Sequence, residues 1–306
     1  MARHLDPVEA PSAKAEGTAS PHAAAGVSLG FERRLWRALD HLRGRMEVPD
    51  QRRLILGLLF LAGLDPDQSP LEIPPDARWP ALVQLADDDL ATGLDVALAA
   101  LAGVNPTLDG ALPSTLGAAR LAPPRLRQLV DFFEGERAGL HADRDVLGRA
   151  YEYLLERFAG GSGRGEFYTP PSVVRLLVAL LGDAPKSIYD PCCGSGGMFV
   201  EALRHRGSAD AVWICGQESN PETRAIARMN LALRGIVADL GPSAADTLAH
   251  DQHPDARVDA VLANPPFNLG SWRGEATRED PRWARGFAPD SNANYAWLQH
   301  IVAHLL

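Results

Sequence analysis

The chain has 306 residues, 46% of them hydrophobic, which is enough for two domains with buried cores. Thirty basic residues against 39 acidic ones give a formal charge of −9, which argues against a nucleic-acid coat held by counterion release but leaves room for an enzyme acting on DNA. Three cysteines, Cys192, Cys193 and Cys215, exclude a disulfide framework and any CxxC metal pair, and are expected as reduced, buried thiols.

Residues 1–27, rich in Ala, Pro, Ser and Gly, show no apolar periodicity and read as a disordered arm. From Leu29 a helical stripe begins, with Leu35, Leu39, Leu42 and Met46 at steps of three and four. The run LILGLLFLAGL, Leu54 to Leu64, reads as a buried helix, because a bilayer span needs about 20 apolar residues. The opening MARHLDPVEAPSAK lacks the apolar stretch of a secretory signal, so a cytoplasmic protein without membrane contact is expected. Further helices are expected at about 80–102, 125–134 and 143–159, which makes residues 28–142 an all-α domain.

After Gly160 the pattern changes. Short β-rich runs (KSIYD, AVWICGQE, VDAVLAN) alternate with helical ones (PSVVRLLVALL, GMFVEALRHRG, NPETRAIARMNLALRG), the grammar of an α/β fold with a doubly wound parallel sheet over residues 143–306. Thr169-Pro170 and Asn220-Pro221 read as N-cap and first-turn pairs, and Gly235 as a helix stop.

The first chemical signal is SIYDPCCGSGGMFVEAL, where a strand ends in Asp190 and a turn with Gly194, Ser195 and Gly196 opens a helix. Absent side chains let a ligand approach the backbone, and the helix-start amides favour an anionic group. The spacing departs from the dinucleotide GxGxxG pattern, and with Asp190 just before it favours S-adenosylmethionine over NAD. Glu218 ends the next strand, where ribose hydroxyls need an acceptor, and Asp246 in AADTL takes the corresponding place one step later, suited to an adenine amine.

VDAVLANPPFNLG carries the second signal, an apolar strand running into Asn264-Pro265-Pro266-Phe267. Pro266 has no N–H, so the carbonyls of Asn264 and Pro265 stay free, and the Asn264 side chain adds another acceptor. Such acceptors grip an exocyclic amine and aim its lone pair at an electrophilic methyl, while Phe267 offers a face for a base turned out of its stack. GSGRGEFYTP lacks the Gly-Lys-Ser/Thr of a phosphate loop.

With these motifs in place the chain resembles the modification (M) subunit of Type I restriction-modification systems, the N6-adenine DNA methyltransferases. LWRALDHLRG and LILGLLFLAGL resemble the family's helical domain, GRAYEYLLERFA leading into GEFYTP its catalytic entry, and DPCCGSGG its cofactor motif. GQESNPETRAIARMNLALRG, ADTL, NPPF and NANYAWLQH follow in the family's order, so the resemblance spans about residues 29–306. It implies a Rossmann-like class I methyltransferase domain behind an all-α domain. It also implies S-adenosylmethionine as cofactor, DNA as substrate, and specificity and restriction subunits as partners. Glu166, Phe167, Tyr168, Thr169 and Pro170 would line the methionine end of the cofactor. Asp190, Gly194, Ser195 and Gly196 would hold its amino acid, Glu218 its ribose and Asp246 its adenine, with Asn264, Pro265, Pro266 and Phe267 on the target base.

The family's sheet order, 3-2-1-4-5-7-6, continues past the strand before NPPF. An incomplete sheet with an apolar edge is therefore expected, to be completed by a separately encoded C-terminal half or left as a truncated, non-catalytic docking subunit. Similar turns also serve methylation of RNA guanine or protein glutamine amines, but those enzymes are expected to lack the amino-terminal helical motifs. The pairs His250/His253 and His300/His304 have metal-ligand spacing, but with no third ligand nearby they read as loop and helix surface, and no metal is expected.

Overall fold

The computed structural model describes residues 34, 35, 46–67, 69–108, 110–142, 169, 171–182, 185–206, 212–274 and 278–306. The expected arm at 1–27, the helix at 143–159, and Glu166, Phe167, Tyr168 and Pro170 lie outside the described residues.

The amino-terminal part is all helical. Helix α1 (Val48–Gly63) has Pro49 in its first turn and buries the run Leu54 to Ala62, as its unbroken apolarity requires. After a short α2 (Trp79–Val83), helix α3 (Asp87–Val104) opens on Asp87, Asp88 and Asp89, three carboxylates at the positive end of its dipole. Its buried residues, Leu90, Leu94, Ala97, Leu98 and Leu101, recur at helical spacing and face α4 (Pro123–Ala142) through Leu126, Leu129, Val130 and Phe133.

The second part is a parallel sheet of β1 (Ser187–Asp190), β2 (Trp213–Gly216) and β3 (Ala260–Val261) in the order β2-β1-β3. Helices α5 (Pro171–Leu180), α6 (Gly197–Arg206) and α7 (Pro221–Leu233) supply one covering layer, and α8 (Asn294–His304) packs against the opposite face. Strand alternation divides β1 between them. Ile188 joins Val174, Val178, Phe199 and Ala227, whereas Tyr189 faces His253, His300 and His304. The expected cap at Asn220 is present, its side chain accepting from the amides of Glu222 and Thr223. Gly235 ends α7 in the left-handed region, with the Ile236 amide donating back to the Leu231 carbonyl.

The sheet extends by single bridges on both sides. Asp239 pairs with Cys215 beyond β2, and Leu305 pairs in parallel with Val258 beside β3. These positions reproduce the first five places of the expected order, and residues 304–306 lie along the edge expected to be bare: the Val258 amide donates to the His304 carbonyl and the Leu306 amide to the Val258 carbonyl. No helix among the described residues is long and apolar enough to cross a membrane.

Candidate active site

In-register parallel pairing sets the candidate residues side by side. Asp190 pairs with Gly216, two residues before Glu218, and Tyr189 pairs with Val261, three residues before Asn264. The ends of β2, β1 and β3 therefore present Glu218, Asp190 and Asn264 along one carboxyl edge, with neighbouring strands about 4.8 Å apart.

Asp190 is 2% exposed, and its Oδ1 accepts from the Cys192 amide at 3.0 Å. Burial pushes its carboxyl up to about 7; the Cys192 hydrogen bonds oppose the rise, and the nearby Glu218 charge adds to it. The glycine turn follows. Gly194 and Gly196 both have positive φ, 55° and 77°; a Cβ on Gly194 would meet nothing within 4 Å, so the backbone there is open to a ligand, whereas one on Gly196 would press on Leu231. Glu218 ties the strand end to the turn, its Oε2 accepting from the Gly194 amide at 3.1 Å and its Oε1 from the Asn220 amide at 2.7 Å. From α7, Asn230 donates to the Ser195 carbonyl at 2.8 Å and holds the turn from behind.

The loop carrying Asp246 is fixed by residues that sequence patterns did not single out. Gln217, fully buried, donates to the carbonyls of Ala245 and His250 and accepts from the Gln252 amide. Thr247 donates to the Pro191 carbonyl at 2.5 Å. Asp246 itself is exposed, and its Oδ1 accepts from the Leu248 amide at 2.9 Å.

Asn264 and Pro265 are half-buried, and Phe267 is 66% exposed beside them. Among the described residues neither the Asn264 nor the Pro265 carbonyl accepts a hydrogen bond, as the double proline predicts. The Asn264 side-chain NH₂ donates to the Thr169 hydroxyl at 3.0 Å. The sequence expects Thr169 at a helix cap and, by resemblance, at the cofactor; its hydroxyl lies against the Asn-Pro-Pro-Phe turn. Asn268 follows at φ 53°, a conformation asparagine tolerates. Its amide donates to Asn294 Oδ1 at 3.0 Å, and its Oδ1 accepts from Asn292 and Asn294, which clasps the turn to the start of α8. Trp272, Trp283, Ala293, Ala296 and Trp297 pack beneath this region with Leu248.

The histidine pairs require a correction. His300 and His304 are 0% and 1% exposed, and His253 is buried too, so these are interior residues rather than helix surface. The outer face of α8 instead carries Tyr295, Leu298 and Val302. A third ligand type is also near. Asp251 Oδ2 lies 3.2 Å from His304 Nε2, a proximity produced by the fold and invisible in sequence spacing.

The group is internally satisfied. Arg282 donates to His300 Nδ1 at 3.0 Å, so the other ring nitrogen donates to the Tyr189 hydroxyl at 3.0 Å, and His304 also reaches the His300 carbonyl. Burial drives His300 down to about 3 and holds it neutral. For His304 burial acts downward too, but the Asp251 hydrogen bond and charge outweigh it and raise the ring. Burial would raise Asp251, yet the hydrogen bonds from His304 and from the His253 amide bring it to about 2. With the Arg282 cation bonded to His300, these side chains form one buried hydrogen-bonded and ionic network.

A model of the N-6 DNA Methylase family matches residues 142–306. The chain belongs to the N-6 DNA methylase family. It is 39% identical over 262 residues to the Type I restriction enzyme HindI methylase subunit of Haemophilus influenzae, covering 76% of this chain and 59% of that protein. It is 31% identical over 328 residues to the Type I restriction enzyme MjaIX methylase subunit of Methanocaldococcus jannaschii, covering 90% and 58%. The chain thus spans less than three fifths of the length of those two relatives. Among solved structures it is similar to the methyltransferase subunit of a type I restriction-modification system from Streptococcus thermophilus. That match has a TM-score of 0.74 and 27% identity, and covers 91% of this chain and 72% of that one. The α/β methyltransferase fold expected from the sequence is the fold observed.

Proposed function

We propose that this chain is the modification subunit of a Type I restriction-modification system and transfers a methyl group from S-adenosylmethionine to N6 of adenine in DNA. The observation that carries the reading is the shared strand edge. A buried carboxyl and an open glycine turn lie beside an acceptor-rich Asn-Pro-Pro-Phe turn with a half-buried asparagine and an exposed ring. The donor set fits the cofactor: Asp190 suits an ammonium, Glu218 the ribose hydroxyls, Asp246 the adenine amine, and the turn of Gly194, Ser195 and Gly196 lets the amino acid approach its backbone, where the Ser195 amide suits a carboxylate.

When bound, S-adenosylmethionine supplies an electrophilic methyl on a sulfonium. Asn264 Oδ1 and the Pro265 carbonyl accept from the adenine amine, direct its lone pair, and stabilise the positive charge that grows on nitrogen as the new bond forms. Pro266 holds the turn rigid. Phe267 gives the base a stacking face in place of its lost neighbours. The amine proton departs to solvent, so no general base is assigned. DNA and the specificity and restriction subunits are the partners of this reading, with base sequence read by the specificity subunit; net acidity of this chain suits that division.

Single-molecule sequencing of DNA from cells expressing the chain with its neighbouring genes tests it. N6-methyladenine at a bipartite motif is expected with the wild type and is lost with Asn264→Ala. Absence of marks from wild-type cells that contain the assembled, soluble complex overturns the proposal.

A further inference from the structure

We infer that Thr169 is a positioning residue for methyl transfer, anchoring the Asn264 carboxamide with its oxygen toward the target amine; this rests on the N6-adenine reading above. A carboxamide has an oxygen that accepts and an NH₂ that donates, and the two ends have nearly the same shape. Only the oxygen is productive opposite an exocyclic amine, because an NH₂ placed there sets donor against donor.

In this structure the anchoring contact comes from 95 residues away. The Thr169 hydroxyl oxygen accepts from Asn264 Nδ2 at 3.0 Å, and among the described residues Asn264 Oδ1 has no hydrogen-bond partner. The donor end is engaged, and the acceptor end is left for substrate. Thr169 suits the task mechanically. Its β-branched side chain has few rotamers, and it stands two residues before α5, whose Val174 and Val178 pack in the sheet's core cluster. Both side chains are half-buried.

This role differs in its consequences from a contact to the cofactor's methionine. A cofactor contact, when removed, raises the dissociation constant for S-adenosylmethionine. A contact that orients Asn264 leaves that constant alone and lowers the rate of transfer.

The test compares wild type, Thr169→Val, Thr169→Ser and Asn264→Ala in the assembled methylase complex. Single-turnover transfer to an adenine in its recognition site and S-adenosylmethionine affinity by calorimetry are both measured. Thr169→Val is expected to slow transfer roughly tenfold or more, the loss of one oriented hydrogen bond, with affinity within about twofold of wild type. Thr169→Ser, which restores the hydroxyl, is expected to recover most of the rate. Weakened cofactor binding with an unchanged transfer rate overturns the inference, as does failure of serine to rescue.

A second readout stands apart from activity. The Asn264 side-chain NH₂ resonance, identified by its disappearance in Asn264→Ala, is expected to move in Thr169→Val and return in Thr169→Ser. A resonance that does not move removes the hydrogen bond itself, whereas a wild-type complex that transfers no methyl while the resonance moves overturns the function reading and leaves the contact standing.

Discussion

Asp190 is the residue at which the fold and the proposed chemistry pull in opposite directions. Burial, opposed by the Cys192 hydrogen bonds and reinforced by Glu218, raises its carboxyl from 3.8 to about 7. A folded-state value above the unfolded one means that the folded chain keeps a proton the unfolded chain releases. The resulting stability is fully present below about pH 4 and is lost as the pH rises through about 7. An ammonium ligand needs the ionised form, so cofactor binding takes back part of what ionisation costs the free protein. The dissociation constant for S-adenosylmethionine is expected to fall as the pH is raised from about 6 to 8. Asp190→Asn is expected to weaken binding, to abolish that dependence, and to flatten the decline in ligand-free stability over the same range. Calorimetric titrations at several pH values decide it; an affinity in wild type that ignores pH removes Asp190 from the ammonium contact.

Between elements, Arg282 does what no single helix or strand does. It binds Asp280 at 2.6 Å, donates to the carbonyls of Thr247 at 2.7 Å and Leu248 at 3.0 Å, and reaches His300 at 3.0 Å. The Asp246 loop, the turn before α8 and α8 itself are thereby joined through one planar fork. Arg282→Ala removes the donor to the Thr247 and Leu248 carbonyls and to His300 Nδ1, leaves Asp280 only the main-chain amide of residue 282, and is expected to cost about 3–5 kcal/mol in denaturant unfolding. Arg282→Lys is expected to recover little, since a point charge cannot serve acceptors spread over the plane of a guanidinium. Full recovery by lysine shows charge alone to be sufficient. The strand ends that carry Asp190, Glu218 and Asn264 were legible in sequence, because β-runs, glycines and prolines act within a few residues of where they stand. The Arg282 network was not, since its members lie at 189, 247, 251, 282, 300 and 304 and meet only through sheet order. Histidines on α8 misled for a related reason: Tyr295, Leu298 and Val302 supply a helical apolar stripe, but the polar stripe faces inward, where Asp251, Arg282 and Tyr189 satisfy it.

On the scale of the whole molecule, the change of pattern after Gly160 suggests two separable domains, yet the described core does not divide there. Helix α7 is apolar toward both sides. Ile226, Met229, Ala232 and Leu233 belong to the core of the amino-terminal helices, while Ala227 and Leu231, one position removed, belong to the core beneath the sheet. Periodicity reveals that a helix has an apolar face, but α7 has two, and only the packing shows which layer each one meets. The Arg52–Glu222 ion pair also crosses from α1 to α7, but Glu222 is largely exposed and the pair adds little. The shared apolar surface is the stronger coupling, so the helical layer and the sheet are expected to unfold together. Ile226 and Met229 border a cavity of about 260 Å³, whereas Leu233 is buried away from it, which makes Leu233 the sharper probe. Leu233→Ala is expected to cost about 2–5 kcal/mol and to lower hydrogen-exchange protection in α3 and β1 by the same amount. If α3 keeps its protection while β1 loses its own, the two parts are independent bodies that only touch at α7, and the site at the strand ends stands without the helical layer behind it.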